Sequence, residues 1–271
     1  MTDSSSVAAP AATPRGSAPS PELLETARGR LADRGIDPSV VIGRNVFDEE
    51  VTVAGFYLML GAVGATEKAG QDPTFALARL ALQAGVPSEV ADTLFLAYNQ
   101  QSAEEAGHGD KVFGNAYYAM GGYAPAADQS VVGNGGGGFL QPTDDLKQNR
   151  KLLCGVAGVL GGIETVALNR VFPGLVAMSE SWGHPIGRDL VAQIRDTVRP
   201  EESRHVLIWR YVFHNLIAPK GADVIEAFRH ATNTGRRQVL GDELDQDTFL
   251  RMMGSSSPTP RQLLGKDRVA V

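Results

Sequence analysis

The chain has 271 residues, 43% of them hydrophobic and 7% aromatic, and a formal charge of −6. That is room for one large domain or two small ones with a sizeable core, and the acidic balance argues against nucleic acid or a membrane surface as partner. The one cysteine, Cys154, excludes a disulfide framework and a thiolate-rich zinc site; set in an apolar run, it reads as a buried thiol.

Residues 1–22 are rich in Ala, Pro and Ser and lack the apolar stretch of a secretory signal, so they are expected as a disordered tail on a soluble, cytoplasmic protein. A first helix is predicted over about 47–84, where Val53, Phe56, Leu60 and Val63 recur at helical spacing and Asp48, Glu49 and Glu50 suit its start. Pro73 should kink or split it. Gly85-Val86-Pro87-Ser88 reads as a turn, and a second helix follows over about 89–120. The Gly-, Ala- and Pro-rich stretch 121–144 contains Gly133-Asn134-Gly135-Gly136-Gly137-Gly138. It has no Lys-Ser/Thr and no strand context, so it reads as a flexible loop and not a phosphate cradle. A third helix is predicted over about 145–181, interrupted at Pro173-Gly174, then a turn at Gly183-His184-Pro185 and a fourth helix over about 186–217, bent at Pro200. The most apolar run, 152–168, holds Glu164 and is too short for a membrane span. Two weaker helices at about 221–240 and 242–253 complete a helical domain over 23–253, and 254–271 reads as a polar tail. Hardly any alternating pattern competes, so the expected fold class is all-α.

Two runs carry the chemistry: Glu104-Glu105-Ala106-Gly107-His108 and Glu201-Glu202-Ser203-Arg204-His205. Each is Glu-Glu-x-x-His, and each has a glutamate upstream by the same interval of 38 residues, Glu67 before Glu105 and Glu164 before Glu202. One Glu-x-x-His on a helix is ordinarily a solvated pair; two copies with matching outriders are not. Helical positions i and i+3 share a face, so Glu105 with His108 can hold one metal ion and Glu202 with His205 another. Glu67 and Glu164 would come from the facing helices. The turns test this independently, because the midpoints of the two intervals are Val86 and Gly183, each inside a predicted turn. Two antiparallel hairpins with legs of about 17–19 residues, about 25–28 Å long, then bring the glutamates level, and the Gly-rich stretch becomes a long crossover. Oxygen-rich ligation with one imidazole per ion suits iron or manganese, whereas structural zinc prefers closed sets of thiolates and imidazoles. Glu104 is expected to support His205, and Glu201 His108, by accepting the remaining ring N–H; the plainer reading leaves both as exposed helix glutamates.

The set Glu67, Glu105, His108, Glu164, Glu202 and His205 resembles the ferritin-like non-haem di-iron carboxylate superfamily over roughly 50–216, and Ala103-Glu104-Glu105-Ala106-Gly107-His108 resembles the metal-binding helix of the soluble acyl-carrier-protein desaturases. The resemblance implies a four-helix bundle with one long crossover, here with additional C-terminal helices. It implies two iron ions, Fe/Fe or alternatively Mn/Fe, held by those six residues as metal ligands and catalytic groups. The implied activity is an oxidase or oxygenase acting on O2 and a small organic substrate, free or carrier-bound, by hydroxylation, desaturation or N-oxygenation. Electrons would come from an external donor such as ferredoxin, and a homodimer is the expected assembly. The alternative is iron handling, as a ferroxidase or a peroxide-detoxifying protein. Where arylamine N-oxygenases carry an extra histidine this chain has Val198, and where the ribonucleotide reductase small subunit carries its radical tyrosine it has Val112.

Gly107 and Gly109 flank His108, Gly155, Gly158 and Gly162 lead to Glu164, and Gly61 and Gly64 precede Glu67. They either open a cavity beside the metals or let helices pack closely. Gln101 and Trp209 lie on the ligand faces and either tune the site or fill the core. His184, His214 and His230 have no ligand spacing.

Overall fold

The computed structural model describes residues 20–45, 48–122, 141–239 and 241–266, and these are mostly helical, as expected of an all-α chain. Helix α1 (Pro21–Ala32) opens on Ser20, whose hydroxyl accepts the Leu23 N–H at 3.2 Å. Helical structure thus begins inside the expected tail; residues 1–19 lie outside the described residues. Two strands absent from the sequence reading, β1 (Val41–Arg44) and β2 (Glu50–Thr52), pair antiparallel. They take the place of the expected acidic helix start. The Asn45 side chain accepts the Glu49 N–H at 3.0 Å, which ties the end of β1 to the start of β2. Helix α2 (Val53–Leu82) begins only at Thr52, whose hydroxyl accepts the Gly55 N–H at 3.3 Å. Strands this short leave too little alternation to detect.

Helix α2 runs unbroken through Pro73. Neighbouring carbonyls keep partners there: Ser102 donates to Gln71 O at 2.9 Å, and the Thr74 hydroxyl donates to Gly70 O at 2.9 Å. Across the Gly85 turn, α3 (Ser88–Gly107) returns and continues as a π-helical turn, His108–Phe113, into α4 (Gly114–Ala119). Residues 123–140, with the Gly-rich run, lie outside the described residues. Helix α5 (Leu146–Val166), a π-helical turn (Ala167–Val171) and α6 (Phe172–Trp182) form one rod. After Gly183 come α7 (Pro185–Gln193), another π-helical turn (Ile194–Val198) and α8 (Arg199–Val212). The expected break at Pro173-Gly174 does not occur. Pro173 and Pro200 each fall in the first turn of the helix that follows a π-helical turn, where a missing N–H is tolerated.

The rod Leu146–Trp182 is 37 residues long and, by length and composition, sufficient to cross a membrane. The run judged too short continues past Leu168 through Val171, Phe172 and Leu175. Half of its most apolar window is buried within the fold, and a core helix of a soluble protein meets the same measure.

Helix α9 (Ala222–Gln238) lies against α5 so closely that a Cβ at Gly162 would collide with Thr232 O, and one at Gly158 would lie 2.9 Å from the Ala231 side chain. Close packing therefore accounts for these two glycines. Helix α10 (Gln246–Met253) follows, and within the expected polar tail a short helix, α11 (Pro260–Leu263), forms on a Thr259/Gln262 capping box with Leu263 buried.

The apolar interior falls into two clusters. One joins the C-terminal part of α2 and the N-terminal parts of α3 and α5 to α8, α9 and α10, through Leu77, Leu94, Leu153, Val212 and Phe249. The other joins α1 and the start of α2 to α4, α6 and α7, through Leu31, Phe56, Phe113, Phe172 and Leu190. Along each of α2, α3, α5 and α8 the Glu and His residues of interest fall between the two.

Candidate metal centre

Each of these four helices passes through the layer between the cores and contributes at that level: Glu67 from α2, Glu105 and His108 from α3 and its π-helical continuation, Glu164 from α5, Glu202 and His205 from α8. None of the six is more than 9% exposed. Their ligand atoms converge in two groups, Glu67, Glu105, His108 and Glu202, and Glu105, Glu164, Glu202 and His205. Within each group the atoms lie within 4.8 Å of one another, close enough to hold a metal ion. The sequence pairing assigned Glu105 to one ion and Glu202 to the other; the structure makes both common to the two groups. The imidazole centroids are 6.2 Å apart. Local packing brings the helices this close. A Cβ at Gly109 would lie 2.8 Å from Gly64 O, and one at Gly70 would lie 3.3 Å from Glu105 Oε2, so glycine at both positions lets His108 and Glu105 approach α2.

The Nδ1 atoms face the cluster. His108 Nδ1 is 3.2 Å from Glu67 Oε2 and 3.1 Å from Glu202 Oε1, and His205 Nδ1 is 3.2 Å from Glu105 Oε1. The Nε2 atoms face outward to the neighbouring glutamates, His108 to Glu201 at 2.7 Å and His205 to Glu104 at 2.9 Å. An ionised carboxylate only accepts, so each Nε2 carries a proton, and with a cation in place each Nδ1 would give up its own proton and turn its lone pair to the ion. This is the crossed support expected of Glu104 and Glu201, which are partly buried and not exposed.

Electrostatics show the strain of this layer without a cation. Burial, then the charges of Glu202 and Glu105, push the Glu67 carboxyl up to about 8, and the same causes hold Glu164 well above the usual range. Burial disfavours a charged His108, but the surrounding carboxylates of Glu201, Glu202 and Glu67 outweigh it and push the imidazole up to about 12. Burial is likewise overcome at Glu202, which the His205 charge holds well below its ordinary value. Both Glu202 oxygens and His205 Nδ1 are buried and make no hydrogen bond. Buried polar atoms without hydrogen bonds, with imidazole nitrogens facing Glu202 at 3.1 and 3.4 Å, are costly unless a cation meets them. The donor set therefore fits a metal.

Gln101, read as either tuning residue or core, donates from its amide to Glu105 Oε1 at 3.2 Å and Glu164 Oε1 at 2.9 Å. Trp209 belongs to the apolar core, with its Nε1 3.3 Å from Thr232 Oγ1. His184 caps α7, His214 lies 3.1 Å from Met253 O, and His230 is exposed. Sequence reasoning missed Arg204, which pairs with Glu104, and Gln100, which donates to Glu104 at 2.8 Å. The signal was present: Arg204 follows Glu201 by one helical turn, and Gln100 precedes Glu104 by one. Comparison of the chain with protein-family models, curated proteins and solved structures returned no match.

Proposed function

We propose that the chain is a ferritin-like di-iron carboxylate oxidoreductase that uses dioxygen to oxidise a small organic substrate by hydroxylation, desaturation or N-oxygenation. One observation carries the reading: two buried four-residue donor groups that share Glu105 and Glu202. Glu67, Glu105, Glu164 and Glu202 bring four negative charges against neutral imidazoles, which two dications balance. Carboxylate-rich ligation with one imidazole at each position favours iron, with Mn/Fe as the variant. Two helical hairpins presenting Glu and Glu-x-x-His at one level support the ferritin-like bundle, with the long connection as its crossover.

Glu67 and His108 would hold one ion, Glu164 and His205 the other, and Glu105 and Glu202 would span both. Bound iron of this kind would activate dioxygen, which supplies the oxidising equivalents. The chain's own part is to position and to exclude water. Glu201 and Glu104 fix the imidazole tautomers, and the two apolar cores close the layer from above and below. The protein has no cysteine cluster, so electrons come from an external ferredoxin-type donor. A soluble cytoplasmic homodimer is the form in which we expect it to act.

A second reading has support in the hollow that reaches His108, which Glu104, Lys111, Thr197 and Glu201 help to line. Charged walls suit a passing ion better than an apolar substrate, as in a ferroxidase or a peroxide-disposing protein. Oxygen-electrode traces of Fe(II)-loaded protein, with 18O2 and mass spectrometry of candidate substrates, separate the two. Label in an organic hydroxyl or N-oxide, or a desaturated product formed with matching O2 uptake, supports the oxygenase or oxidase; consumption driven by Fe(II) alone, without organic product, supports iron handling. Full O2-dependent turnover by Glu105→Ala would overturn both.

A further inference from the structure

The pseudo-twofold that relates the two Glu-Glu-x-x-His motifs is broken in three places, and all three breaks act in one direction. Gln101, one turn before Glu105, ties Glu105 to Glu164 through its amide; the matching position before Glu202 is Val198, fully buried among apolar residues. Glu104, the outer partner of His205, is held by the Arg204 guanidinium and by Gln100 and is 13% exposed at its side chain. Glu201, the outer partner of His108, has Arg204 only at 3.9 Å and is 25% exposed at its side chain. Finally, the residue before His205 is Arg204, whereas the residue before His108 is Gly107, where a Cβ would meet nothing within 4 Å.

The space that Gly107 leaves belongs to a hollow of about 430 Å³. Ala103, Lys111 and Thr197 stand exposed at its rim, Glu104 and Glu201 line it, and His108 lies at its base. His205 and Glu164 do not border it.

We infer that the two metal positions are unlike: the one at Glu67 and His108 exchanges its ion through the Gly107 hollow, and the one at Glu164 and His205 retains its ion. The inference rests on the two-metal reading above. A clamped outer carboxylate and a clamped ligand pair hold the His205 position rigid, and outer partners of this kind govern metal affinity. The loosely held Glu201 stands at the hollow and can accompany an ion past His108. Glu201 gives the hollow a carboxylate that can meet a divalent cation, whereas Glu104 is engaged by Arg204.

The test is release of Fe(II) from anaerobically loaded, desalted protein into a chromogenic chelator, followed by stopped flow. Two phases of equal amplitude are expected. Thr197→Trp at the exposed rim, and Gly107→Leu at the base, should slow the fast phase and leave the slow one. Gln101→Leu should speed the slow phase by about tenfold. Circular dichroism and thermal melts identify any variant that fails to fold, and Gly107→Ala with Thr197→Trp then carry the test. A single phase for both ions, or a fast phase indifferent to every change in the hollow, overturns the asymmetry while leaving the two-metal reading intact. A wild-type chain that holds no Fe(II) overturns the metal reading and the asymmetry with it.

Discussion

Above and below the Glu and His layer the molecule is packed hydrocarbon, with Leu77, Leu94, Leu153, Phe56, Phe113 and Phe172 fully buried. The layer itself buries four carboxylates and two imidazoles, with three polar atoms left unpaired. The cores favour folding, since each buried Leu or Phe contributes roughly 1.5–3 kcal/mol. The layer opposes folding until a cation meets it. On the proposed reading, the layer serves the metal and the cores serve stability.

Each prediction separates the two regions. The largest effect belongs to the core. Phe249 makes edge contacts with Trp209 and Phe213 at 6.0 and 5.6 Å, and Phe249→Ala should lower stability by about 3–5 kcal/mol in urea unfolding. Its loss should be the same with or without metal. Next, loading with Fe(II) at about a hundred times the dissociation constant should stabilise the wild type by about 2.7 kcal/mol. Calorimetry should show no such gain for Glu202→Ala, because Glu202 serves both positions.

The third prediction concerns pH in the metal-free protein. Burial and the neighbouring carboxylates hold Glu67 at about 8, well above an ordinary glutamate, so the folded chain keeps a proton that the unfolded chain releases. Stability from this group is therefore complete at acid pH and declines as pH rises through the folded value. Unfolding curves from pH 5 to 8 should slope downward for wild type and less steeply for Glu67→Gln. An equal slope in both would detach Glu67 from the strain. The smallest effect is at α11, where Thr259→Ala removes one half of a capping box and should cost about 1 kcal/mol, with metal content unchanged.

Much of this architecture was legible in the sequence because it rests on one-dimensional spacing. Glu-x-x-His at i and i+3, equal intervals to Glu67 and Glu164, and turns at the midpoints follow from helical periodicity alone. The sharing of Glu105 and Glu202 does not, because it depends on how the helices are rotated about their axes. Nor do the π-helical turns, which have no compositional signal and which let Pro173 and Pro200 pass without a break. The glycines show the limit most plainly. Gly155 and Gly162 lead toward Glu164 alike, yet a Cβ at Gly155 meets nothing within 4 Å and one at Gly162 meets the backbone of α9. Only the position of the neighbouring helix distinguishes them.

We propose that this layer holds two metal ions, and a count of the bound ions decides it. Protein equilibrated anaerobically with Fe(II), desalted and assayed for iron by mass spectrometry should retain two ions per chain. Glu202→Ala, folded by circular dichroism, should retain neither. A folded wild-type chain that emerges without bound metal, or a Glu202→Ala variant that keeps both ions, would contradict the account.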